Sequence, residues 1–177
     1  DRSPSRGLGD VYKRQVLKDL KNVDLSFLAK NEAKEFTLLL EELEKRERRE
    51  TSAASFIDFV KIIWPEFING DHHRKMAQAF DKIAEGKLKR LIINMPPRHT
   101  KSEFASHLFP AYLLGKNPKL KIIEATHTAD LAINFGRKVR DLIDTEEYSE
   151  IFPQTELKAD SRSAGKWLTS QRGEYYA

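Results

Sequence analysis

The passage that most constrains this chain is an apolar run, Leu91-Ile92-Ile93, leading straight into Asn94-Met95-Pro96-Pro97-Arg98-His99-Thr100-Lys101-Ser102, with a helical pattern opening at Lys101. A strand that empties into a tight polar loop and then a helix is the layout of a phosphate-binding P-loop, ordinarily written G-x-x-x-x-G-K-[ST]. In that pattern backbone N–H groups wrap the phosphates, the lysine reaches the β and γ oxygens and the hydroxyl holds Mg²⁺. Met95 and Thr100 stand at the two glycine positions here, followed by Lys101 and Ser102 in their usual places.

The flanking sequence supports that layout. Residues Lys101 to Leu114 have helical spacing, with Phe104, Ala105, Leu108, Ala111 and Tyr112 on one face and Gly115 as the expected stop. A strand is predicted over Leu120 to Ala125. Thr128 can then cap a helix from Ala129 to Ile143, whose Leu131, Ala132, Phe135, Val139 and Leu142 form an apolar stripe. Strands alternating with helices of this length imply an α/β fold, with a parallel sheet and right-handed crossovers. Anionic ligands in such sheets sit beyond the carboxyl ends of the strands, where the loop after Ile93 would lie. Leu91 to Asn94 and Leu120 to Ala125 are therefore expected as parallel neighbours or near-neighbours.

Composition bounds the remaining classes. With 177 residues and 40% apolar content the chain can bury one core, and it has no long uncharged apolar run of the kind that spans a membrane. Zero cysteines exclude a disulfide framework and any thiolate metal site. A net charge of +4 and a pI near 9.2 allow contact with a polyanion without requiring one. Position 1 is Asp, the first methionine is Met76, and Glu174-Tyr175-Tyr176-Ala177 reads as a strand, so an internal fragment is expected. Residues 1–15 lack any period and resemble translated adaptor sequence, outside the fold.

Three helices are predicted before the loop. The first, a charged helix from Lys30 to Glu50, carries Phe36, Leu39, Leu40 and Leu43 at helical spacing within a segment covering residues 16–50. Its interleaved signs from Glu41 to Glu50 read either as a solvated face laced by i,i+4 pairs or as a nucleic-acid patch. Ser52 or Ser55 can cap the second, which carries Phe56, Phe59, Val60, Ile63 and Trp64 and ends at Pro65. The third runs from Asp71, as N-cap, through Met76, Phe80 and Ile83 to Gly86. His72 and His73 in its first turn point to different faces, which disfavours a metal site built from this pair alone. A polar role near a nucleotide base and simple decoration of a helix end both stay open for them.

With these elements in place, Phe56 to Ala177 resembles the ATPase domain of tailed-bacteriophage terminase large subunits, the DNA-packaging motors. Pro96-Pro97-Arg98-His99-Thr100-Lys101-Ser102 is similar to that family's P-P-R-H-G-K-S loop. Ile122-Ile123-Glu124-Ala125-Thr126-His127-Thr128-Ala129-Asp130-Leu131-Ala132, then Arg137 to Ile143 and Tyr148 to Phe152, resemble its next strand and helix. Gly173 to Ala177 resembles the hairpin before its Walker B strand. The resemblance implies a P-loop NTPase-type parallel sheet flanked by helices over residues 51–177, incomplete at the C-terminus and preceded by a helical N-terminal segment. It also implies ATP hydrolysis with Mg²⁺, coupled to movement of double-stranded DNA into a procapsid in the host cytoplasm. Expected partners are the portal protein, the small terminase subunit and further copies in a ring, with no membrane involved.

The roles follow from phosphoryl-transfer chemistry, which needs phosphates positioned and developing charge neutralised. Lys101 would neutralise the β and γ oxygens and Ser102 would ligate Mg²⁺. Pro97, Arg98, His99 and Thr100 complete the nucleotide-binding loop, with N–H groups from about His99 to Ser102 adding a positive dipole end. Arg98 is either a catalytic cation over the γ-phosphate or a salt-bridge partner that fixes the loop. Thr100 is expected at negative φ, its hydroxyl turned away from the phosphates or bonded within the loop. Glu124 ends a strand but follows the P-loop helix too soon for a Walker B acid, which would lie past Ala177, as would a nuclease domain. The fragment alone is then expected to bind nucleotide weakly and to hydrolyse it poorly or not at all. The competing readings are a nucleic-acid or partner binding module with a degenerate loop, and another P-loop motor such as a helicase.

Overall fold

The structure, a computed structural model, describes residue 12, residues 15–23 and residues 29–177. The expectation for residues 1–15 lies outside these except at Tyr12 and Gln15, and that for the 16–50 segment lies outside them over 24–28. The chain divides into two units, 1–48 and 49–177. In the first, residues 15–21 are helical and Lys21 pairs with Glu44 at 2.6 Å. The charged helix α1, Lys30–Ala54, leaves Leu38, Leu39 and Leu43 exposed.

The second unit is built around aromatic side chains carried by short helices. Helix α2, Phe56–Ile63, starts after Ser55, but its first-turn N–H at Phe56 is taken by the Asp81 carboxylate at 2.8 Å and not by a serine hydroxyl. That carboxylate belongs to α3, Asp71–Ala84, so one interaction caps a helix and ties two together. Gly70, not Asp71, is the N-cap of α3. Phe56 lies at the centre: its ring meets Phe80 at 5.1 Å, Phe104 at 5.4 Å, Phe109 at 5.8 Å and Tyr112 at 5.5 Å, all edge-on. Such T-shaped contacts place the positive ring edge against the negative face of a neighbour, adding to the gain from burial.

Helix begins at Lys101 as expected, widens into a π-helix over Glu103–Leu108 and continues as α4, Phe109–Lys116. Four residues of the predicted face, Phe104, Leu108, Ala111 and Tyr112, are buried, and the fifth, Ala105, is half-buried against the same core. Gly115 does not stop the helix, which ends at Lys116 with Asn117 as C-cap. The glycine answers a packing demand instead, because a Cβ there would lie 2.3 Å from the Phe152 ring. Carbonyls of α4, including the unshared ones at its end, are taken by donors from a later helix, α6 (Glu146–Ile151), and its following turn. Tyr148 Oη donates to Ala111 at 2.8 Å, Gln154 Nε2 to Gly115 at 2.9 Å and Thr155 Oγ1 to Leu114 at 3.2 Å.

Helix α5 occupies Ala129–Ile143, the predicted bounds, with the Thr128 hydroxyl accepting from the Leu131 N–H at 3.4 Å. Its Gly136 carbonyl accepts from the buried Trp167 indole at 3.1 Å, which docks the helix on a four-stranded sheet. The strands are β1 (Lys121–Ile123), β2 (Leu157–Arg162), β3 (Lys166–Thr169) and β4 (Glu174–Tyr176), ordered β1-β4-β3-β2. Trp167 stacks on Tyr175 across β3 and β4, centroids 4.9 Å apart and planes 4° from parallel. The turn between those strands is closed by Gly173, whose missing Cβ would fall 2.1 Å from the Pro118 carbonyl.

Two expectations about the sheet are corrected. The chain combines helices with a small four-stranded sheet, and that sheet is mixed, not parallel: β1 pairs with β4 in parallel, whereas β2–β3 and β3–β4 are antiparallel. The parallel neighbour of β1 is therefore β4 and not Leu91 to Asn94, which joins no ladder among the described residues. An apolar run supplies the side chains of a buried strand, but a strand exists only where a second chain segment accepts its N–H and C=O groups. Ile93 and Met95 still pack against the core, while Ile92 is 86% exposed.

Candidate functional site

The loop is shaped by two left-handed residues, Arg98 at φ 64° and Thr100 at φ 59°. The expectation of negative φ at Thr100 is thus overturned. A β-branched residue crowds its own backbone in this region, so the conformation has to be secured from outside the dipeptide. The second half of the expectation holds, since the Thr100 hydroxyl donates within the loop to the His99 carbonyl at 2.7 Å. His99 in turn closes on Pro97, Nδ1 donating to its carbonyl at 2.9 Å. The Thr100 carbonyl accepts the Phe104 N–H at 2.9 Å, so the helix is already engaged by the residue that makes the turn.

The outside support is His73. Its Nε2 lies 2.7 Å from Thr100 Oγ1, and its Nδ1 lies 3.0 Å from the Gly70 N–H. An N–H can only donate, so Nδ1 is unprotonated and Nε2 carries the hydrogen. Thr100 Oγ1 has committed its own proton to His99, so it accepts from His73. The relay therefore runs Gly70 N–H to His73, His73 to Thr100, Thr100 to the His99 carbonyl. Burial, then the neighbouring His72 and His99, hold the His73 pKa below the usual histidine value, in keeping with a neutral ring. Phe67 and Phe104 contact that ring at 4.7 and 5.1 Å.

The remaining predicted residues lie together around the turn. Pro97, Arg98, His99 and Ser102 are exposed and Lys101 is half-buried, its Nζ 3.5 Å from the Pro96 carbonyl. Arg98 makes no ion pair or side-chain hydrogen bond among the described residues, so no salt bridge fixes the loop there. First-turn N–H groups of the helix that opens at Lys101 lack intrahelical acceptors and point toward the same end. Glu103, the next residue, would oppose an anion if its charge were free. It is instead held by His107 Nδ1 at 2.5 Å and Lys138 Nζ at 3.0 Å, contacts that lower its pKa to about 2.

Glu124 follows the end of β1, half-buried, with its carboxyl pushed up by burial and Ser106 beside it opposing that shift. His73 is the residue that sequence reasoning left undecided. The signal for it was the pairing of a histidine in the first turn of α3 with a hydroxyl residue at a glycine position of the loop. Among the described residues no cluster of three or more histidine and carboxylate side chains could hold a metal ion. The chain matches no known family model, and neither curated proteins nor solved structures give a match. Among the described residues no helix is long and apolar enough to cross a membrane.

Proposed function

We propose that this chain is the nucleotide-binding part of an ATP-hydrolysing DNA-packaging motor, the large terminase subunit of a tailed bacteriophage, with a P-loop NTPase-type core. The observation that carries the reading is the loop itself. Two left-handed residues curl the backbone ahead of a helix start, bringing Lys101, Ser102 and first-turn N–H groups to one exposed end. That end offers a cation, a hydroxyl and a positive dipole to phosphate. Lys101 would neutralise the β and γ oxygens, Ser102 would ligate Mg²⁺, and the Arg98 guanidinium, without a partner among the described residues, would act on charge developing in the transition state. Double-stranded DNA, the portal protein, the small subunit and further copies in a ring on the procapsid, in the host cytoplasm, are the corresponding partners.

The test is Lys101→Ala in the intact-length parent protein, where ATP turnover should be lost with the fold preserved; normal turnover rejects the role. Arg98→Ala should lower the maximal rate by about 10³ to 10⁵ if the guanidinium acts as an arginine finger. A changed nucleotide affinity with an unchanged maximal rate would assign it to binding alone. A second reading, a polyanion-binding module with a degenerate loop, draws on the left-handed Thr100. It predicts DNA retention by the parent protein that is indifferent to both substitutions.

A further inference from the structure

Thr100 stands where the ordinary P-loop pattern has its second glycine, and it adopts the left-handed backbone that a glycine would take without cost. We propose that His73 is a positioning residue of the loop: through Thr100 it holds the left-handed turn that sets Lys101 and the helix start. The His73–Thr100 pair then replaces a glycine with a hydrogen-bonded lock. This inference rests on the phosphate-binding reading of the loop for its functional consequence, but the lock itself is a property of the free chain.

Three observations carry it. The His73 ring cannot swing freely, because Nδ1 is tied to the Gly70 N–H and its surface is in contact with Phe67 and Phe104. Its Nε2–H therefore meets Thr100 Oγ1 from a fixed direction, 27 residues away in sequence, at 2.7 Å. Thr100 uses both capacities of its hydroxyl, accepting from His73 and donating to the His99 carbonyl. Valine would keep the shape and lose both bonds; glycine would keep the turn and need neither. Phe104 also lies one helical turn beyond the loop, so the residue that supports the ring belongs to the helix the loop must aim.

The test is a double-substitution cycle on the full chain with two readouts. One is the hydrogen-exchange rate of the Phe104 amide, which bonds the Thr100 carbonyl. The other is affinity for a fluorescent ATP analogue with Mg²⁺. His73→Ala should speed exchange and weaken affinity by about tenfold each, the scale of one hydrogen bond. Thr100→Val, which spares the α3 cap and the aromatic contacts, should do the same. In a Thr100→Gly background His73→Ala should cost several-fold less in either readout, keeping only the share due to the lost α3 cap and ring contacts, whereas a role in packing alone would cost the same in both backgrounds. His73→Gln, which keeps an N–H donor of similar reach, should recover most of the loss.

Equal effects of His73→Ala with threonine or glycine at position 100 would overturn the proposal. So would ¹⁵N imidazole signals showing the proton on His73 Nδ1. Coupled exchange effects in a chain that binds no nucleotide would uphold the lock and reject the phosphate reading.

Discussion

The aromatic layer around Phe56 and the loop around Thr100 meet in the same helical segment, yet they are held by opposite means. The layer is redundant: Phe56 touches Phe59, Phe80, Phe104, Phe109 and Tyr112, and no one contact decides the fold. The loop is singular. A left-handed threonine depends on one histidine, and Arg98, two residues before it, has the same backbone sign with no side-chain bond among the described residues to secure it. Non-directional burial tolerates approximate geometry, whereas a hydrogen-bonded turn has one solution. This molecule stores its stability in the aromatic layer and its shape in the loop.

The layer is most sensitive at Phe56. Phe56→Ala should cost about 3–5 kcal/mol in chemical denaturation, as for a large aromatic removed from a closed core. A loss under 1 kcal/mol would mean the layer collapses around the gap. Gly115→Ala probes overpacking in the same layer, since its Cβ would press into Phe152, which is 2% exposed. A loss of about 1–3 kcal/mol is expected. An unchanged midpoint would show that the ring yields.

Glu103, on the loop side, gives a smaller effect with a pH signature. His107 and then Lys138 depress its pKa to about 2 in the folded chain. A depressed carboxylate contributes stability that is present above its unfolded value, near 4.5, and is lost as pH falls toward 2. Glu103→Gln should therefore melt below wild type at pH 7, and the gap should narrow between about pH 5 and 2. A gap independent of pH would assign the loss to packing. Arg98→Ala should be the quietest, within about 0.5 kcal/mol of wild type, because its side chain is exposed and has no partner among the described residues. A larger loss would show that the loop relies on it.

What could be read from the sequence follows the same division. Helix α5 was legible to the residue, because Thr128 caps it and its apolar stripe repeats at helical spacing. The buried face of Phe104, Leu108, Ala111 and Tyr112 was legible for the same reason. Leu91-Ile92-Ile93 was not, because a strand is a relation between two segments and periodicity describes only one. Gly115 reads as a stop in one dimension, and its reason, the Phe152 ring, is far along the chain. At the candidate site Lys101 and Ser102 could be placed from the motif. The sign of φ at Thr100 could not, because it is tied to a histidine 27 residues upstream.

The π-helix over Glu103–Leu108 adds a consequence for the relation between these two regions. A single wide turn accommodates one residue more than an α-helix would across the same span. Each residue of α-helix turns the chain by about 100°, so removing that extra residue would rotate one end against the other by this angle. With Tyr112 and Leu108 fixed in the interior, the rotation would fall on Lys101 and Ser102. The widened turn thus works as a phase adjuster: it lets Leu108, Tyr112 and Phe104 all keep their seats in the interior while Ser102 faces the solvent at a chosen bearing. A one-residue deletion after Phe104 in this stretch should send the lysine to another side of the molecule and pull the buried Phe104 ring out of the aromatic layer with it, at a cost in stability.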